Sequence, residues 1–90
     1  MDIDEDDTLH DLGRRVQELR EAHGITQDEL AERLSITPQY VRKIEAGAAN
    51  LNVRRLVRLA NALGCASVQD LFEAPRSREP RGPGRPRRAD

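Results

Sequence analysis

Between residues 8 and 24 the apolar side chains Leu9, Leu12, Val16, Leu19 and Ala22 recur at intervals of three and four, the spacing of one face of an α-helix. Thr8 stands where a hydroxyl can cap that helix, His23 falls in its last turn, and Gly24 offers the left-handed conformation in which helices commonly end. In Thr26-Gln27-Asp28-Glu29, a hydroxyl and a carboxylate three positions apart can each satisfy a backbone N–H that a starting helix leaves free. The spacing therefore predicts a second helix, with Leu30, Ala31 and Leu34 facing inward, that breaks at Ser35-Ile36. Thr37-Pro38 restarts the chain: Thr is a good cap, and Pro fits the first helical position because its missing N–H has no partner there. This third helix buries Val41 and Ile44 and ends at Gly47. After a loop over residues 48–51, Asn52 caps a fourth helix bearing Val53, Leu56, Val57, Leu59, Ala60 and Leu63, closed by Gly64. Residues 67–72 read as a short fifth helix stopped by Pro75.

Composition narrows the fold class. With 37% apolar residues but one Tyr, one Phe and no Trp, the core has to be built from Leu, Ile, Val and Ala, which favours helices packed on helices. The expectation is all-α, a compact five-helix bundle occupying residues 8–75. Residues 1–7 read as an acidic, disordered head. Residues 76–90 are rich in Pro, Gly and Arg, show no apolar period, and read as a basic, disordered tail.

The formal net charge of −1 conceals a segregation. Asp2, Asp4, Glu5, Asp6, Asp7 and Asp11 give residues 1–12 a charge of −6, whereas residues 13–75 carry +1 and residues 76–90 carry +4. A near-neutral total is therefore no argument against a nucleic-acid partner, because the location of the positive charge decides. No apolar stretch approaches the roughly 20 residues that span a bilayer, and the acidic start is the opposite of a secretory signal, so a cytoplasmic protein with no membrane partner is expected. Cys65 is alone, and His10 and His23 make no metal-binding spacing, which predicts neither a metal nor another cofactor. Neither histidine has a Ser, Cys or second His at a sensible spacing, so no enzyme is read here.

Two helices joined by a few residues, over 27–45, form the plan of a helix-turn-helix. Leu30, Leu34, Ile36, Val41 and Ile44 supply the shared seam, and Ala31 is small where the helices cross. What remains on the outer face of the third helix is Thr37, Gln39, Tyr40, Arg42, Lys43 and Ala46.

Three separated runs carry a specific likeness. Ile25-Thr26-Gln27-Asp28-Glu29-Leu30-Ala31, Val41-Arg42-Lys43-Ile44-Glu45-Ala46-Gly47 and Leu59-Ala60-Asn61-Ala62-Leu63-Gly64 make residues 9–74 resemble the Cro and lambda-repressor family, the Xre-type transcriptional regulators. The resemblance implies a bundle of about five helices that binds double-stranded DNA, usually as a homodimer on a pseudo-palindromic operator, with the third helix in the major groove. By position it implies that Thr37, Pro38, Gln39 and Lys43 face base edges. Gln27 would meet a phosphate at the start of the second helix, where free N–H groups and the helix dipole favour an anion. Tyr40 and Arg42 would touch phosphate or base, and Arg54 and Arg55 would clamp the backbone from the fourth helix. Arg20 and Glu45 would form an ion pair tying the first helix to the third.

Two positions depart from the family pattern. Pro38 replaces a base-reading polar residue and leaves apolar touch, as with a thymine methyl. Ser35 stands at the turn position often held by Gly. Val68, Leu71 and Phe72 on the last helix are candidates for the dimer contact. The tail run Arg81-Gly82-Pro83-Gly84-Arg85-Pro86-Arg87-Arg88 resembles an AT-hook, in which arginines lie in the minor groove; Arg81, Arg85, Arg87 and Arg88 would be the contacts, although Pro83 replaces the first Arg of the Arg-Gly-Arg-Pro core. Small size without a sensor domain points to a bacterial or phage regulator governed by its own concentration, similar to restriction-modification controller proteins. The competing reading is an antitoxin or protein-bridging module of the same fold, with the acidic head or the basic tail as the handle for a protein partner.

Overall fold

The computed structural model describes residues 2–76, and Arg81, Arg85, Arg87 and Arg88 lie outside the described residues. Four α-helices run in the order α1 (Glu5–Ala22), α2 (Gln27–Leu34), α3 (Pro38–Glu45) and α4 (Val53–Ala62), and a short 3-10 helix (Val68–Phe72) follows. Among the described residues there is no strand.

The first helix begins earlier than Thr8. Asp4 is its N-cap, accepting from the Asp7 backbone N–H at 2.9 Å, and Glu5, Asp6 and Asp7 occupy the first turn. Carboxylates there oppose the positive end of the helix dipole, so the run that reads as a solvated head is helical from Glu5 onward. Thr8 sits inside the helix, its hydroxyl donating to the Asp4 carbonyl at 2.9 Å. The last element also differs from expectation, being a five-residue 3-10 helix rather than a fifth α-helix. Its length leaves no room for a ladder of i to i+4 bonds, and the Asp70 carbonyl already accepts from Arg15 Nε at 2.8 Å.

At the start of α2 the capping box closes as its sequence predicts. Thr26 Oγ1 accepts from the Glu29 N–H at 3.0 Å, and Glu29 Oε1 accepts from the Thr26 N–H at 2.8 Å. Ile25 and Leu30 flank this cap at the positions of a hydrophobic staple, and both are buried. Between α2 and α3, Ser35 adopts φ 57° and ψ 45°, the left-handed region where a side chain is strained.

The core joins Leu12, Val16, Ile25, Leu30, Ala31, Leu34, Val41, Ile44, Ala49, Leu59, Ala60, Leu63 and Leu71. Against it, α1 and α3 approach so closely at Gly13 that a methyl group built there would lie 2.5 Å from the carbonyl oxygens of both Ile44 and Glu45. The same crossing is pinned by a buried ion pair. Arg20 Nε donates to Glu45 Oε2 at 2.6 Å and Arg20 Nη2 to Glu45 Oε1 at 3.1 Å, with side chains only 10% and 6% exposed. Arg20 Nη1 reaches the Ile25 carbonyl at 2.9 Å. Bonding to Glu45 raises the already strongly basic Arg20 further, against the opposing pull of burial. Stability from a raised pKa is lost only as pH climbs through it, so the Arg20 side of the pair stays charged at and below neutral pH.

Gly13→Ala should destabilise the fold by about 1–3 kcal/mol or more despite alanine's helix preference of about 1 kcal/mol, because two backbone carbonyls must move; urea denaturation measures it, and an unchanged midpoint would contradict the close approach. Glu45→Ala should cost about 3–5 kcal/mol by leaving a buried guanidinium unpaired, and calorimetry should show melting lowered by more than about 10 °C.

Candidate nucleic-acid interface

The third helix is held from behind. Val41, Ile44 and Glu45 are buried, while Gln39, Arg42, Lys43 and Ala46 are exposed on the opposite side. At 100° per residue those four share one face, with Gln39 and Lys43 a single turn apart. Thr37 stands just outside the helix as its N-cap, its Oγ1 accepting from the Tyr40 N–H at 3.1 Å while the residue stays exposed. Pro38 and Tyr40 lie on opposite flanks of the exposed face and are both half-buried. The expected base-facing set is thus divided: Gln39 and Lys43 look outward together, and Pro38 is turned partly into the fold.

Gln27 occupies the first position of α2 but is engaged inward. Its Nε2 donates to Glu45 Oε1 at 2.9 Å, so α2 joins α1 and α3 at one carboxylate. An amide nitrogen carries two hydrogens, and the second stays available to an acceptor beyond the half-buried side chain.

On the far side of α3, Asn52 caps α4 by accepting the Arg55 N–H at 2.8 Å. Arg54 is exposed in that first turn, and Arg55 is half-buried with its guanidinium carbon 5.4 Å from the centre of the Tyr40 ring. The Tyr40 hydroxyl donates to the Asn50 carbonyl at 3.4 Å. This cluster joins residues from α3, the following loop and α4, and no local spacing in the sequence announces it. Nor does it announce a groove of about 420 Å³ lined by Arg33, Leu34, Ser35, Arg58, Asn61 and Ala62, across which Arg33 Nη1 donates to the Ala62 carbonyl at 3.2 Å.

The expected dimer residues differ in exposure. Leu71 is 0% exposed in its own domain's core and is withdrawn as a contact, because a side chain without accessible area cannot also meet a partner. Val68 is half-buried against that core, and Phe72 is 49% exposed. The fourth helix adds Val53 and Val57, which periodicity places with the core residues but which are 73% and 41% exposed, one turn apart. Cys65 is half-buried, and the loss of hydration there raises its thiol above the ordinary value. No helix among the described residues is long and apolar enough to cross a membrane.

Known proteins are similar to this chain in sequence and in fold. An uncharacterized HTH-type transcriptional regulator from Methanothermobacter thermautotrophicus is 37% identical over 57 residues, covering 63% of this chain and 83% of that protein. The restriction-modification controller protein C.AhdI from Aeromonas hydrophila has a similar structure, with a TM-score of 0.67 and 34% identity over 71% of this chain and 96% of its own. A hydroxypropylphosphonic acid epoxidase from S. wedmorenis shares the fold with a TM-score of 0.71 and 26% identity, over 76% of this chain but 36% of the enzyme. The helix-turn-helix family model matches residues 16–70, from the middle of α1 into the 3-10 helix, and the chain belongs to that family.

Proposed function

We propose that this chain is a sequence-specific, double-stranded DNA-binding transcriptional regulator that acts as a homodimer on a pseudo-palindromic operator, in the manner of a restriction-modification controller protein. The observation that carries the reading is the outer face of α3. Gln39, Arg42 and Lys43 are exposed there over a back that is fully packed, so the helix can enter a groove without disturbing the fold. The likeness to C.AhdI over 96% of that protein's chain supports the controller-like form. The epoxidase shares the fold over about a third of its length and supports no catalytic role here.

In this reading Gln39 and Lys43 take base edges, since Gln pairs with adenine through two hydrogen bonds and Lys reaches guanine acceptors. Thr37 and Pro38 border that contact, one through its exposed hydroxyl and the other through ring carbons. Gln27, Arg42, Arg54 and Arg55 meet phosphates on either side. The two protomers join through Phe72 with Val53 and Val57, the large apolar side chains of the second half of the domain that remain exposed.

Base contacts carry sequence information and phosphate contacts carry affinity and salt dependence, so the two sets fail differently. Gln39→Ala and Lys43→Ala should each lower specific binding by about 1–3 kcal/mol and relax preference at one or two base pairs in a selection from random duplexes. Arg54→Ala should weaken all sequences alike and flatten the slope of log K against log salt by about 1 for each phosphate no longer neutralised, doubled in a dimer. An altered motif for Arg54→Ala with an unaltered one for Gln39→Ala would overturn the assignment of α3 as the reader. Phe72→Asp should give a folded monomer with weaker operator binding, and sedimentation showing the wild type already monomeric at micromolar concentration would refute the dimer contact.

A further inference from the structure

Arg55 is braced twice. Its backbone N–H is held by the Asn52 side chain at 2.8 Å, and its guanidinium carbon lies 5.4 Å from the centroid of the Tyr40 ring, within the range of cation–π attraction. The ring is itself half-buried where it projects from α3 against the core, with its hydroxyl 3.4 Å from the Asn50 carbonyl. A long cationic side chain at the exposed start of a helix otherwise samples many rotamers and loses that freedom when it meets a single anion.

A phosphate oxygen only accepts hydrogen bonds, so a tyrosine that ligates phosphate must offer its one hydroxyl proton. In Tyr40 the hydroxyl has the Asn50 carbonyl, at 3.4 Å, as an acceptor for that proton within its own domain. We infer that Tyr40 is a positioning residue: its ring holds the Arg55 guanidinium oriented for a DNA phosphate, and Tyr40 makes no hydrogen bond to DNA itself. The inference rests on the DNA-binding reading above and replaces the expectation that Tyr40 ligates phosphate directly. It also couples the two parts of the interface, since the clamp on α4 takes its orientation from the helix that reads the bases.

The test uses the full chain as wild type, Tyr40→Phe, Tyr40→Leu, Arg55→Ala and the Tyr40→Leu/Arg55→Ala double variant. Each is titrated with a duplex selected from a random pool and with a scrambled duplex. Tyr40→Leu should weaken binding to both duplexes about two- to fivefold. Tyr40→Phe, which keeps the ring, should rescue that loss. In the Arg55→Ala background Tyr40→Leu should cost nothing further, the mark of two residues acting as one. A measurement without DNA guards against misfolding: the Arg55 side-chain methylene protons should be shifted upfield by the ring in wild type and Tyr40→Phe, and return to ordinary positions in Tyr40→Leu with the remaining amide spectrum unchanged. The inference is overturned if Phe and Leu substitutions lose equal affinity, if Tyr40→Leu costs as much with Arg55 absent as present, or if the Arg55 methylene protons are unshifted in the wild type. A wild type that binds neither duplex removes the DNA-binding reading and the inference with it, whereas failure of the inference alone leaves wild-type binding intact.

Discussion

Glu45 is the point at which three helices are obliged to meet. Its carboxylate, on α3, receives the Arg20 guanidinium from α1 through two hydrogen bonds and the Gln27 amide from α2 through a third. Neither charge can be buried alone without a penalty of several kcal/mol. The attraction within the pair is largely offset by the water both groups lose, so its effect on net stability is modest. Its effect on geometry is large. A bidentate guanidinium contact admits few relative orientations, and an apolar pair of equal volume would admit many. Arg20 also holds the Ile25 carbonyl, so the loop leading into α2 is fixed by the same side chain that orients α3.

Gly13 makes this arrangement possible. The ion pair draws α1 and α3 together near one end of their crossing, and the backbones can follow only where no side chain intervenes. With the Ile44 and Glu45 carbonyls 2.5 Å from where a Cβ would stand, every residue except glycine would separate the helices. With that contact and the packing of Val41 and Ile44, the back of α3 is buried. The front carries Gln39, Arg42 and Lys43, all exposed, and a rigid helix with an exposed polar face is what a groove-reading element requires.

Local chemistry makes α2, α3 and α4 legible from the sequence, because Thr26 with Glu29, Thr37 with Pro38, and Asn52 each satisfy backbone donors within three residues. The ends of the domain are less legible. Asp4 to Asp7 carry the composition of a solvated tail, yet the same carboxylates cap and polarise α1 once a helix follows them. Periodicity groups Val53 and Val57 with the core although they lie on the outer flank of α4, and it overlooks Ala49, which is buried from a loop without any period. Among the site residues, the Arg20–Glu45 pair comes from family resemblance, since 25 positions of separation carry no spacing signal. Tyr40 and Arg55 each stand out in the sequence, but as independent phosphate ligands; their contact depends on how α4 returns past α3, which no local pattern encodes.

The charge distribution sets the terms on which the proposed interface has to work. With a net charge of −1, the chain's attraction for a polyanion depends on where its cations sit rather than on their total. Affinity then has to come from a few cations held where phosphates will be, rather than from a diffuse positive surface. Ordering such a cation in advance matters more for this protein than for a strongly basic one, since each placed contact makes up a larger fraction of the whole. The ring beneath Arg55 is the structural form that this ordering takes.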